Sequence, residues 1–129
     1  MIKSLYIKNI MDLLVDSDEF GVLYRPQLDY ITDDKYDYTN GSGLFVTFTT
    51  NDKINTLPQN KDTNVIDGVT IKSIENGLVA KAILHIKNGL IDSLEIWCAT
   101  NNYPDHDLKK YTLQQDWVGS SNRQIIVDK

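Results

Sequence analysis

Two apolar-rich runs joined through Asn88-Gly89 form the clearest pattern in the chain, and they extend from Val79 to Ala99. An Asn-Gly pair between two such runs is a strong signal for a β-hairpin. A two-residue turn would mix apolar and charged residues on both faces, whereas a loop that is one residue longer gathers the apolar residues on one face. That face holds Ala80, Ala82, Leu84, Ile86, Leu94, Ile96 and Cys98. Burial of one face fixes the register, so the sequence predicts the longer loop, with residue 84 paired to 94, 86 paired to 92 and a bulge at Gly89.

The opposite face of this hairpin has a mixed character and carries Lys81, Ile83, His85, Ser93, Glu95 and Trp97. We expect it to be half-solvated, with Lys81 and Glu95 forming a charge pair across the two strands. Cys98 lies on the apolar face, where a small thiol serves as packing.

The remaining pattern predicts one helix and several further strands. Ser4 is a candidate N-cap, and apolar residues at helical spacing predict a helix over residues 4–15. Predicted strands are Val22–Tyr24, Leu44–Thr50, Gly68–Ser73, Tyr111–Trp117 and the edge strand Gln124–Val127, with loops over residues 33–43 and 51–67. Pro26 places the first of these strands at an edge or a bend. The predicted fold class is α+β: one domain over residues 1–129, with one N-terminal amphipathic helix packed on a curved antiparallel sheet of five to seven strands.

Negative charge is concentrated in one part of the chain. The 129 residues carry a formal net charge of −5, and residues 16–38 hold seven acids against two bases, which accounts for all of it. A field of this kind repels nucleic acid and anionic lipid and attracts cationic partners. The single cysteine excludes an internal disulfide, and no stretch resembles a signal peptide or a membrane span. We therefore expect a cytoplasmic bacterial protein, monomeric or weakly dimeric, that binds neither nucleic acid nor membrane.

The acidic segment is interleaved with tyrosines, because four of the seven tyrosines lie within residues 24–38. Tyrosine gives rigid contact area at protein interfaces, and carboxylates accept hydrogen bonds from lysine and arginine. The predicted partner-binding residues are Asp16, Asp18, Glu19, Asp29, Tyr30, Asp33, Asp34, Tyr36, Asp37 and Tyr38. The alternative is that the tyrosines pack an edge strand while the acids keep that edge soluble and unpaired.

Candidate catalytic and metal-binding groups do not form a recognisable motif. Asp33, Asp34 and Asp37 lack the EF-hand pattern, since Lys35 intrudes and the twelfth position holds Leu44. The two histidines, His85 and His106, have no ligand at zinc spacing, and no phosphate-binding glycine loop is present. A Cys98–His106 nucleophile pair and a catalytic pair of Asp92 and Glu95 are the other arrangements to consider. We expect no enzyme activity, no metal and no cofactor.

Three segments carry a resemblance to a known class of protein: residues 67–73 (DGVTIKS), 88–97 (NGLIDSLEIW) and 103–113 (YPDHDLKKYTL). With them, the region from about Gly43 to Trp117 resembles small bacterial families encoded beside polymorphic toxins, including immunity proteins of contact-dependent growth inhibition systems. The resemblance implies that the chain binds and blocks one cognate toxin domain, often a basic nuclease. These families share no fixed site pattern, so the resemblance assigns no functional residue.

Two further classes remain open on the sequence. A helix on a curved sheet is similar to the cone of the nuclear transport factor 2 fold, which would imply a small enzyme or ligand-binding domain with a pocket lined by Asp92, Glu95, His85 or Tyr111. That resemblance normally implies more N-terminal helix than this chain offers. A structural module that dimerises through the Gln124–Val127 edge is the third possibility.

Overall fold

The computed structural model describes residues 1–58 and 60–128, and it is an α+β fold built on one antiparallel sheet of seven strands. The helices are α1 (Leu5–Leu14) and α2 (Asp18–Tyr24), with two short 3-10 helices at Arg25–Tyr30 and Asp52–Thr56. The strands are β1 (Ile31–Tyr38), β2 (Gly43–Thr50), β3 (Asn64–Ser73), β4 (Leu78–Lys87), β5 (Leu90–Cys98), β6 (Tyr111–Gln115) and β7 (Gln124–Val127). Their order across the sheet is β1-β2-β5-β4-β3-β6-β7. The predicted fold class is confirmed.

Helix α1 lies across one face of the sheet and matches the predicted helix closely. The Ser4 side chain accepts the backbone N–H of Ile7, which satisfies one of the free donors at the helix start. Ile7, Ile10 and Met11 are fully buried where the helix meets β3, β4 and β6. Side chains of α1 therefore pack directly on these three strands.

The hairpin of β4 and β5 follows the predicted register except near its turn. Ala80 pairs with Cys98 and Leu84 with Leu94, as predicted, but Ile86 pairs with Ile91 rather than with residue 92. The φ angles of Asn88 (53°) and Gly89 (80°) are both positive, so the turn is the two-residue type I′ form. The bulge lies at Asp92 instead of Gly89, and it turns this carboxylate outward to solvent.

Two predictions for the acidic segment are wrong. Residues 22–24 belong to α2, whose start is capped by the Ser17 side chain on the N–H of Phe20, and Pro26 follows in the first turn of a 3-10 helix. Residues 33–38, predicted as loop, belong to β1. This strand lies at the sheet edge, where charged side chains are common, and for that reason its sequence reads as polar.

The predicted loop over residues 51–67 is only partly correct. It contains the second 3-10 helix, with Ile54 buried, and its last residues already belong to β3, which has a bulge between Ile66 and Val69. Position 59 of this loop and position 129 of the predicted domain lie outside the described residues. Strand β6 ends at Gln115, two residues before the predicted end, and β7 is the edge strand that was predicted.

Candidate functional site

Asp16 is neutralised within the protein. Its carboxylate lies 2.9 Å from the Arg123 guanidinium and 3.3 Å from that of Arg25, and it accepts a hydrogen bond from Gln115. Partial burial opposes ionisation, but the hydrogen bonds from Gln115 and Arg123 hold the pKa of Asp16 below its usual value. Two arginines already occupy this acid, so it adds little to an acidic surface.

Asp33 is not the exposed acid that the sequence indicated. It is only 5% exposed and accepts the backbone N–H groups of Lys3 (2.7 Å) and Ser4 (3.2 Å) together with the hydroxyl of Tyr36. Burial raises the pKa of a carboxyl group, but these hydrogen bonds outweigh it and hold the pKa of Asp33 below the usual value. Its role is structural: it joins β1 to the segment just before α1.

The other predicted residues of β1 divide between the two sides of the strand. Tyr36 and Tyr38 pair with the buried residues of β2, and their stacked rings, with centroids 6.3 Å apart, pack against the core. This packing fits the alternative interpretation of the tyrosines. Asp34 forms an ion pair with Lys3 at 3.2 Å and accepts a hydrogen bond from Thr49. Asp37 is exposed on the opposite side from the tyrosines, at 4.0 Å from Lys35.

Asp29 and Tyr30 lie in the first 3-10 helix, apart from the strand residues. Asp29 is exposed and borders a recess with Met1, Lys8 and Arg25, while Tyr30 is half-buried against the core. Asp16 and Asp33 lie at opposite ends of α1, which at ten residues spans about 15 Å. The predicted residues therefore lie on several elements, and two of them, Asp16 and Asp33, are engaged within the protein.

Asp18 and Glu19 lie at the start of α2, and Glu19 borders a recess that also contains the exposed carboxylate of Asp67. Both are exposed in the first turn of α2, where carboxylates favour the helix dipole. Glu19 and Phe20 line a recess of about 390 Å³ that continues to Asp67 and Trp117.

The face of the sheet opposite α1 carries several exposed apolar side chains among charged ones. Trp97 is 52% exposed, Val65 57% and Phe45 39%, in three different strands. A recess of about 470 Å³ lies on this face, lined by Asp67, Gly68, Lys81, Ala82, Ile83, Glu95, Trp97, Asp116 and Trp117. Large aromatic side chains exposed on a sheet face are typical of interaction surfaces.

The charge pairs on this face differ from the one that was predicted. Lys81 lies 2.9 Å from Asp116 and also donates to Thr70, while Glu95 is 3.0 Å from the Nε2 atom of His85. The predicted Lys81–Glu95 pair is therefore wrong, because β6 brings a second carboxylate within reach of the lysine. Partial burial opposes ionisation of Asp116, but the hydrogen bonds from Thr70 and Lys81 hold its pKa below the usual value.

The two recesses adjoin, since both are lined by Asp67 and Trp117. We refer to them together as the tryptophan groove, which comprises Glu19, Phe20, Asp67, Lys81, Ile83, Glu95, Trp97, Asp116 and Trp117. Both tryptophans of the chain border this groove. Four of its side chains are carboxylates and one is a lysine, so the groove is acidic as well as aromatic.

The bulge in β3 is what shapes the middle of the groove. Gly68 accepts the backbone N–H of Asp116 at 2.8 Å, and its φ of 108° suits glycine. A Cβ atom at this position would approach the Trp117 side chain to 2.8 Å, so the glycine permits the tryptophan to lie against the bulge. Four groove residues were predicted from the sequence neither as site residues nor as part of the open hairpin face: Phe20, Asp67, Asp116 and Trp117. The Asp67-Gly68 pair, a common turn or bulge signal, was the available indication.

Of the catalytic candidates, His85 lies 3.0 Å from Glu95 and borders one recess together with Asp92. Cys98 is buried in the core, as predicted, and the Nδ1 atom of His106 is close to the backbone oxygen of Asp107. Tyr111 is buried on the α1 side of the sheet, away from Glu95 and His85. Within residues 1–58 and 60–128, no three potential metal ligands come together and no helix is long and apolar enough to cross a membrane.

Comparison with known proteins adds no relative. No protein-family model matches the chain, and no curated protein or solved structure is similar enough to count as a match.

Proposed function

We propose that this protein binds a basic partner protein through the tryptophan groove and blocks it, as an immunity protein neutralises its toxin. The observation that carries the proposal is the composition of the groove, in which four carboxylates and two tryptophans border two adjoining recesses on an exposed surface. The resemblance of the region from Gly43 to Trp117 to immunity proteins supports the same role. A toxin nuclease is the partner that fits, because its nucleic-acid-binding surface is basic.

The charge distribution supports a protein partner over nucleic acid. The groove carboxylates would repel phosphate groups, whereas the lysines and arginines that hold phosphates on a nuclease complement them. Tryptophan is enriched among the residues that dominate binding energy at protein interfaces. The proposal retains Glu19 from the predicted acidic segment and replaces the β1 residues with the open face of the sheet.

We expect association to be fast at low salt and to slow by about tenfold or more as the ionic strength rises from about 0.01 M to about 1 M, because salt screens exposed charges. The partner to test is the product of the neighbouring open reading frame, purified as a catalytically inactive variant. Stopped-flow measurement of the association rate across the salt series checks the expectation, and a growth assay on cells that produce the active partner checks neutralisation.

Charge reversal locates the surface that binds. The double variant Glu19→Lys, Asp67→Lys is expected to weaken binding by about 100-fold, since each new lysine repels a basic partner. The matched control, Asp29→Lys, Asp37→Lys, makes the same charge change at two exposed acids of the predicted segment. Loss of binding in the control alone would favour that segment over the groove, and binding that does not respond to salt would contradict the electrostatic proposal.

A further inference from the structure

We propose that the open-face part of the tryptophan groove holds an arginine side chain of the partner. This inference rests on the proposed function, because it specifies which chemical group of a basic partner enters the site. Three features of the recess carry it: an apolar floor between two carboxylates, negative charge that the chain does not neutralise, and exposed indole surface.

The strand register places the two carboxylates on either side of Ile83. Asp67 and Gly68 form the bulge of β3 opposite Ile83 of β4, and Ile83 pairs with Glu95 of β5. Neighbouring strands are about 4.8 Å apart, so the backbones of Asp67 and Glu95 are about 10 Å apart with the isoleucine between them. All three residues line the recess, so the flat end of one partner side chain can lie between the carboxylates with its methylene groups on the isoleucine.

Asp67 and Glu95 are the carboxylates of the recess whose charge remains available. Asp116 is already paired with Lys81 at 2.9 Å. Glu95 contacts the Nε2 atom of His85 at 3.0 Å, and no lysine or arginine among the described residues forms an ion pair with it. Asp67 is exposed, and the described part of the chain places no lysine or arginine in an ion pair with it.

The tryptophans favour arginine over lysine. A guanidinium group is planar and weakly hydrated, it stacks on aromatic rings, and its five N–H donors can reach two carboxylates at once. An ammonium group is strongly hydrated and loses more when it leaves water. Trp97, which is 52% exposed and borders the recess, offers indole surface that a guanidinium can contact.

Both tryptophans of the chain border the recess, so intrinsic fluorescence reports on it directly. The probes are two short peptide amides that differ only in carrying three arginines or three lysines, each titrated at about 0.15 M salt, where charges beyond about 8 Å are screened. We expect a saturable change in tryptophan fluorescence and about tenfold tighter binding of the arginine peptide. The variant Trp97→Phe should remove most of the fluorescence change. Calorimetry on the same variant measures peptide binding independently of fluorescence.

Asp67→Asn tests the carboxylate with little risk to folding, because this side chain is exposed. We expect this substitution to weaken binding of the arginine peptide by about tenfold, because one charge-assisted hydrogen bond is lost. The matched control is Asp105→Asn, which removes an exposed carboxylate outside the groove and should leave the affinity unchanged. Far-ultraviolet circular dichroism confirms that both variants are folded.

Equal affinity of the two peptides, or equal effects of Asp67→Asn and Asp105→Asn, would overturn the inference. The proposed function would survive that result if the groove charge reversals still weakened binding of the whole partner by about 100-fold. If the groove charge reversals left binding of the whole partner intact, the proposed function would fail regardless of the peptide result.

Discussion

Replacing Gly43 with alanine is expected to lower the free energy of unfolding by about 4 kcal/mol, the sum of a strained backbone and a steric overlap. Gly43 begins β2 with a φ of 144°, a conformation that side chains with a Cβ atom rarely adopt. A Cβ atom there would meet the backbone oxygen of Ile96 at 1.7 Å, so the backbone of β2 or β5 must move. That movement would disrupt the pairs Gly43–Trp97 and Leu44–Ile96. Urea denaturation followed by circular dichroism measures the loss.

Gly77→Ala is the matched control for this variant. Gly77 also has a positive φ, of 61°, but nothing lies within 4 Å of a Cβ atom at its position. We expect this substitution to cost about 1 kcal/mol, the backbone penalty alone. If both variants lost a similar amount of unfolding free energy, the overlap between a Cβ atom at position 43 and the backbone oxygen of Ile96 would cost nothing, contrary to the structure.

The hairpin could be predicted from the sequence because its information is local. Alternation along β4 and β5 determined which residues face the core, and the pairing of Leu84 with Leu94 follows from it. The turn could not be settled in the same way. A bulge at Gly89 and a bulge at Asp92 both place the apolar residues on one face. They differ in the position of Asp92, which would lie on the apolar face in the first case and faces solvent in the second.

The engagement of Asp16 and Asp33 within the protein could not be predicted, because it depends on partners that are distant in sequence. Asp33 is held by the backbone of Lys3 and Ser4, and Asp16 by Arg123, which is more than one hundred residues away. The sequence pattern within residues 16–38 does not distinguish an acid that has such distant partners from an acid that faces solvent. Asp18 and Glu19 remain exposed because α2 presents its first turn to water.

The tryptophan groove depends on the order of strands, which the sequence does not encode locally. Lys81 and Glu95 lie on the hairpin face that was predicted to be half-solvated. Asp67 and Asp116 join them because β3 pairs with β4 on one side and with β6 on the other. The sequence therefore predicts that this face of the hairpin is a surface. The presence of Trp117, Asp67 and Asp116 beside it can be seen only once the strand order is known.

Asp33→Asn is expected to lower the free energy of unfolding by about 3 kcal/mol at neutral pH, because a buried charged acceptor is lost from three hydrogen bonds. The amide oxygen of asparagine can replace one carboxylate oxygen, but the amide nitrogen would face an N–H or O–H donor. The contacts at risk are those to the backbone of Lys3 and Ser4, which hold the start of α1 on β1. Asp37→Asn, an exposed change on the same strand, is the control and should alter stability by less than about 0.5 kcal/mol.

The pH dependence of this effect distinguishes the ionised carboxylate from simple packing. The folded-state pKa of Asp33 is lower than that of an unfolded chain, near 4, so its stabilisation is complete above about pH 5 and is lost as the pH falls through the folded value. The stability difference between the native protein and Asp33→Asn should therefore shrink below about pH 4. Urea denaturation at a series of pH values measures this difference. A difference that stays constant down to about pH 2 would mean that shape, rather than the charge of Asp33, joins β1 to the start of α1.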